Sequence, residues 1–166
     1  MTHAPAYLFV PMDEEQARAV VLWRYEAPYD FYDVANDPEG LKEILGPPER
    51  RDGYYAAVSN GELVGFFSYG AGGRLPGFDY PDDGYVDIGL GLRPDLTGKG
   101  LGLGYVLAGL EFGRRRFDPA GFRLFVATFN ERAISVYERA GFRRGQIHMH
   151  HTNGADYPFL LMTREA

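Results

Sequence analysis

The chain has 166 residues, 45% apolar and 15% aromatic, with no cysteine and a formal net charge of −6. That length and composition describe one globular domain over residues 1–166, able to bury a core, and exclude a disordered chain. The lack of cysteine excludes disulfides, a thiolate nucleophile and cysteine-ligated metal, and makes the cytoplasm the default compartment.

The charge is unevenly spread. Residues 1–92 carry 6 basic and 16 acidic side chains, whereas residues 93–166 carry 11 and 7. Either this is solvated surface, or an anion docks on the second half and a cation on the first. The acidic total, with no long basic stripe, argues against nucleic acid as a partner. No apolar run approaches the ~18 residues of a membrane span. The opening "MTHAPAYLFVPMDEEQ" lacks the basic and apolar regions of a signal peptide.

In chain order, residues 7–12 read as a strand. Asp13 with Gln16 three later is a capping-box signal for a helix through about Tyr25. Residues 26–36 read as an aromatic loop, and 37–45 as a short helix stopped by Gly46-Pro47-Pro48. Residues 54–70 form a hairpin turning at Asn60-Gly61. Residues 71–84 are a long loop, and 84–94 a strand with Val86, Ile88, Leu90 and Leu92 on one face. Leu103, Val106, Leu107 and Leu110 then repeat at helical spacing. A strand at 123–130, a helix at 131–142 stopped by Gly141, and two strands around Asn153-Gly154 complete the order βααβββαβαββ. The fold class is α/β, with helices about one sheet.

The stretch "LTGKGLGLG", residues 96–104, sits between the fourth strand and the third helix. Glycine costs a helix roughly 1 kcal/mol per residue against alanine, so these glycines need a reason. The loop fails as a phosphate loop of the form G-x-x-x-x-G-K-S/T, with Arg93 and Gly100 at two required positions. It also fails every register of the dinucleotide pattern G-x-G-x-x-G, because Leu103, Tyr105 and Leu107 stand where the last glycine belongs. Two readings remain: a tight turn, or a helix N-terminus whose free N–H groups receive an anion.

Two motifs together resolve the choice. "LRPDLTGKGLG" resembles the coenzyme-A-binding segment of the GNAT acyltransferases, Q/R-x-x-G-x-G/A after a strand ending in proline, with Thr97 in place of the usual Gln or Arg. "NERAISVYERAGF" resembles the same family's N-x-x-A-x-x-x-Y-x-x-x-G-F, with Asn130, Ala133, Tyr137, Gly141 and Phe142 all present. The element order agrees along the whole chain.

The resemblance implies a GNAT-like acyl-CoA N-acyltransferase fold, a mixed, mostly antiparallel central sheet flanked by helices. It implies acetyl-CoA as cosubstrate and direct acetyl transfer to a primary amine, on a small molecule or a peptide. The alternative is a module of the same fold that senses acyl-CoA without transferring it. The pyrophosphate would sit on the loop at Thr97, Gly98, Lys99, Gly100, Leu101, Gly102, Leu103 and Gly104, and the pantetheine arm along Leu90 to Leu92. Asn130 and Arg132 would contact the cofactor; a helix N-cap and a solvated helix residue are the plainer readings. Tyr137 resembles the general acid that protonates the departing thiolate, and a phenol with a pKa near 10 can donate at neutral pH; its alternative is core packing.

Asp87 is the leading candidate for the general base, although strand parity sets it opposite Val86 and Ile88 unless a bulge intervenes. His148 and His150 share a strand face and either line the acceptor pocket or pack; an H-x-H pair without a third ligand is not read as a metal site. "WRYEAPYDFYD" places Tyr25, Tyr29, Asp30 and Phe31 in the loop expected to wall the acceptor. Aromatics with carboxylates suit a cationic amine. Dimers are common among similar proteins, which leaves a homodimer open.

Overall fold

Two asparagine–glycine turns frame the sheet. Asn60 and Gly61 have φ of 51° and 77°, and Asn153 and Gly154 have φ of 51° and 80°, the positive pair that a tight hairpin with native twist requires. The computed structural model describes residues 6–166; the part of the leader reading that falls on residues 1–5 lies outside them.

The elements are β1 (Leu8–Pro11), α1 (Glu14–Val21), α2 (Pro38–Ile44), β2 (Tyr54–Ser59), β3 (Glu62–Tyr69), β4 (Tyr85–Leu92), α3 (Gly102–Phe117), β5 (Gly121–Ala127), α4 (Glu131–Arg139), β6 (Arg143–Thr152) and β7 (Ala155–Glu165). The order is the one expected from the sequence. The strands form a seven-stranded sheet in the order β1-β2-β3-β4-β5-β7-β6. Every pairing is antiparallel except β4 with β5.

That one parallel pairing is short. It runs from Tyr85 opposite Gly121 to Asp87 opposite Arg123 and stops. Beyond it β4 stays with β3 as far as Leu92, and β5 stays with β7 as far as Ala127. The sheet therefore opens into two wings, leaving one edge of residues 88–92 without a strand partner.

Helix α3 packs on one face. Gly109 is there because a Cβ would lie 2.1 Å from Cζ of Phe67, so the helix can approach the sheet only without one. Tyr105 is buried, and its hydroxyl donates to the carbonyls of Phe66 and Gly91, both at 2.9 Å. The main core gathers Phe67, Tyr69, Ile88, Val106, Leu110, Phe122, Leu124 and Met162. A smaller cluster on α1 and α2 joins Met12, Ala17, Val20, Ile44 and Tyr54.

The capping box on α1 is present, with Asp13 and Gln16 bonding reciprocally, but the helix ends at Val21 instead of Tyr25. The N–H groups of Leu22 and Trp23 turn back to Ala19 and Val20, and that of Tyr25 is taken by Asp33 Oδ1 at 2.9 Å. Polar capping from the loop wins over the helical pattern. The loop itself holds two short 3-10 turns, at Tyr29–Tyr32 and Val34–Asn36. No helix among the described residues is long and apolar enough to cross a membrane.

Candidate active site

The parting of β4 and β5 opens a cleft of about 350 Å³. One wall is β4 from Ile88 to Leu92, including Leu90, and the facing wall is Leu124, Phe125 and Val126 of β5. The aromatic loop contributes Trp23, Tyr25, Tyr29 and Tyr32, and helix α4 contributes Asn130, Arg132 and Tyr137. The exposed β4 edge is partly occupied: the Tyr25 hydroxyl donates to the Leu92 carbonyl at 2.7 Å. Burial pushes the Tyr25 phenol well above its usual value, with the charge of Asp33 adding to it.

The glycine loop adjoins this cleft beside α4. Gly98 and Gly100 have φ of 72° and 77°, a left-handed backbone that favours glycine over any side chain. A Cβ on Gly98 would lie 3.6 Å from Nη1 of Arg132, and one on Gly102 would lie 3.4 Å from Val136. Around Gly100 and Gly104, by contrast, a Cβ would meet nothing within 4 Å. The protein's own packing thus does not require glycine at 104, where the backbone is already helical.

The N–H groups from Gly98 to Gly104 have no backbone acceptor among the described residues. The cap residue Leu101 supplies no side-chain bond either. A row of unpaired donors at the positive end of a 16-residue helix, bordered by space no side chain fills, fits an anionic diphosphate. Thr97 does not reach out: its hydroxyl donates to the Pro94 carbonyl at 2.7 Å and closes its own turn. Lys99 is exposed, and Leu103 packs on the main core, so only its backbone faces the loop.

Tyr137 reaches the cleft from α4 and rests edge-on against Phe142, 5.9 Å between centroids. Its hydroxyl has no hydrogen-bond partner among the described residues. Burial raises its pKa above the ordinary phenol value, with Tyr32 contributing, so it holds its proton. Asn130 serves as the α4 N-cap, accepting from the Ala133 N–H at 3.1 Å, while also lining the cleft. The Arg132 guanidinium lies 4.0 Å over the Tyr29 ring and joins the aromatic loop to the glycine loop.

Three sequence expectations need correction. Asp87 is not placed as a base. Its side chain is 1% exposed, and both oxygens accept from guanidiniums, Oδ1 from Arg123 Nε at 2.6 Å and Oδ2 from Arg74 Nε at 2.8 Å. No bulge interrupts β4 against β3, so parity holds and Asp87 lies on the face opposite Ile88, outside the cleft lining.

Asp30 and Phe31 also fall outside the cleft, at a separate hollow with Pro28 and Asn153. Phe31 is pinned there edge-on to Tyr32, Phe129 and Tyr157. His148 and His150 do not line the cleft either. His148 packs against Phe78 and Phe125, and His150 against Phe159. Burial lowers the His150 pKa, which favours the neutral ring. Among the described residues no three His, Cys, Asp or Glu side chains gather to hold a metal ion.

The cleft also contains residues the sequence did not flag: Asp37, Arg74, Leu75, Phe125 and Phe159. Phe125 and Phe159 carried a signal, being aromatic on strands beside the motif. Arg74 and Leu75 carried none, because the 71–84 loop reaches the cleft only by folding over β4. There a Cβ on Gly73 would lie 2.6 Å from the Ile88 carbonyl carbon.

Comparison with known proteins names this arrangement. The model of the acetyltransferase (GNAT) family matches residues 14–142. The chain belongs to that family. It is 34% identical over 99 residues to the mycothiol acetyltransferase of Acidothermus cellulolyticus and 37% over 90 residues to that of Streptomyces coelicolor. These matches cover 55% and 54% of this chain but only 30% and 26% of the two relatives, so the chain spans about a third or less of their length.

The fold is shared more widely. An aminoglycoside acetyltransferase in complex with coenzyme A superposes with a TM-score of 0.71 at 22% identity, covering 96% of this chain and 95% of that one. A spermidine N-acetyltransferase from Vibrio cholerae in complex with CoA and spermine gives a TM-score of 0.72 at 14% identity, over 96% and 95%. The GNAT fold thus extends across both wings of the sheet, and the two GNAT-like motifs fall on the α3 entry loop and on α4.

Proposed function

We propose that this GNAT protein transfers an acetyl group from acetyl-CoA to a primary amine. The observation that carries the reading is the glycine loop, whose unpaired N–H groups and empty space at Gly100 and Gly104 suit a diphosphate, set beside a cleft containing an unbonded phenol. The N–H groups from Gly98 to Gly104 receive the pyrophosphate of acetyl-CoA, with Arg132 beside them. The free edge of β4 at Leu90 and Leu92 receives the pantetheine arm. The tyrosines of the aromatic loop wall the acceptor.

In this reading the amine nitrogen attacks the acetyl carbonyl carbon, forming the C–N bond as the C–S bond breaks. Tyr137 gives its proton to the leaving thiolate and recovers one from solvent. The nitrogen loses its proton to water or to a base other than Asp87, whose oxygens are both engaged. Chemistry of this kind needs no cysteine, and the chain has none.

The test is direct. Acetyl-CoA should raise the melting temperature, and at least one amine in a broad panel should release free CoA thiol. No shift with any acyl-CoA at saturating concentration would overturn the reading.

A further inference from the structure

The charges that line the cleft do not suit a polycation. Among the described residues its wall has one carboxylate, Asp37, and two guanidiniums, Arg74 and Arg132. The acidic excess of the first ninety-odd residues points elsewhere. Glu26 and Asp30 are exposed, Asp30 at the separate hollow, and Asp33 is buried accepting the Tyr25 N–H.

Arg132 belongs to the glycine-loop end, beside Gly98. Arg74 sits elsewhere in the cleft wall, where the 71–84 loop crosses β4. Its guanidinium is held from behind. Nε donates to Asp87 Oδ2 at 2.8 Å, and the group lies over the Tyr80 ring, 4.7 Å from its centroid. Tyr80 is itself fixed, its hydroxyl accepting from the Leu75 N–H at 2.7 Å. Neither terminal nitrogen of Arg74 meets a protein acceptor among the described residues.

Asp87 does not need Arg74 for its charge. Its other oxygen is met by Arg123, whose side chain is 4% exposed and which also bonds Asp83 on the solvent side. An oriented guanidinium with two free donors is the arrangement that grips a carboxylate through paired hydrogen bonds.

We infer that the acceptor is a small amine that also bears a carboxylate, of the amino acid type, with Arg74 holding the carboxylate while the amine faces the β4 edge. The inference rests on the acetyl-transfer reading above and narrows its acceptor. It also separates this chain from the spermine-bound and aminoglycoside-directed proteins that share its fold.

The experiment compares matched amines with acetyl-CoA, reading CoA thiol release: leucine, leucinamide and 3-methylbutylamine; phenylalanine, phenylalaninamide and phenethylamine; and spermidine and kanamycin. At least one free acid should exceed its own amide and amine in kcat/KM by about tenfold or more, the worth of a charge-assisted hydrogen-bonded pair. Arg74→Gln should collapse that acid-to-amide ratio, chiefly through KM for the acid, and Arg74→Lys should restore part of it. Residual turnover of the amide shows that each variant is folded.

The inference is overturned if amides or plain amines react as well as acids, if spermidine or kanamycin is preferred, or if the ratio survives Arg74→Gln. It is also overturned if every carboxylate-bearing amine is silent while acetyl-CoA still raises the melting temperature, which leaves cofactor binding standing. Silence together with no melting shift takes down both readings.

Discussion

The two ends of the cleft are made of different material. The proposed cofactor end is backbone: a run of N–H groups from Gly98 to Gly104, with open space beside Gly100 and Gly104. The proposed acceptor end is side chain: Tyr25 and Tyr29 from one loop, Arg74 from another, Phe125 and Phe159 from two strands. Backbone donors placed by a short contiguous stretch leave a spacing rule in the sequence. Side chains gathered from distant segments leave none, because their meeting depends on how loops pack. Asp87 makes the point: its place in "YVDIGLGLRP" suggested a base, and its partners, 13 and 36 residues away, make it a structural anion.

The largest effect should come from breaking that assignment. Asp87→Asn takes away the buried anion of Arg123 and leaves it only the solvent-side Asp83, 3.0 Å from Nη1; removing one partner of a buried ion pair costs about 3–5 kcal/mol. Arg123 already has one buried nitrogen, Nη2, with no partner among the described residues, and Asp83 meets only Nη1. Denaturant unfolding should show the loss. A variant of unchanged stability that has lost the acid-side limb of its pH–rate profile would return Asp87 to the role of base.

Next is Tyr137, the proposed acid in the cleft wall. Tyr137→Phe removes the acid and should lower kcat by about a hundredfold or more, with the affinity for acetyl-CoA nearly kept. Because burial raises this phenol above its usual value, the acid remains protonated as pH rises through 10, and the wild-type kcat should lose no activity to Tyr137 ionisation below that point. Equal losses in kcat and cofactor binding would make Tyr137 a packing residue.

The contrast also explains what the sequence revealed. The element order was legible because its signals are local: two Asn–Gly turns, a capping box at Asp13 and Gln16, and period-two strands. The Asn130 cap and the Tyr137 position were legible for the same reason, lying within one helix and its first turn. The end of α1 was not, because Asp33, eight residues on, takes the Tyr25 N–H. The histidines of β6 stayed between pocket and packing because the sequence does not show that β7 separates β6 from β5, or that Phe159 stands opposite His148. Aromatic density in "WRYEAPYDFYD" marked the correct loop, yet its residues divide between the cleft and a separate hollow. Which way each ring turns is decided by partners such as Phe129 and Tyr157.

The smallest effect is the most discriminating for the backbone end. Gly104 lies within the first turn of α3 with helical geometry, and a methyl group there would meet no protein atom within 4 Å. Were the glycine idle, Gly104→Ala would only help. It should stabilise the free protein by about 0.5–1 kcal/mol through helix propensity and reduced unfolded-state entropy, a rise of roughly 1–4 °C in Tm at this size. If the space is kept for the diphosphate, the same methyl group intrudes on the ligand, and KM for acetyl-CoA should rise as the protein becomes more stable. Opposite signs from one substitution separate a ligand's requirement from a packing one: a packing glycine such as Gly109, whose Cβ would run into Phe67, should lose stability first. A Gly104→Ala variant that is more stable and binds acetyl-CoA as well as before would show that the loop's glycines are not there for the cofactor.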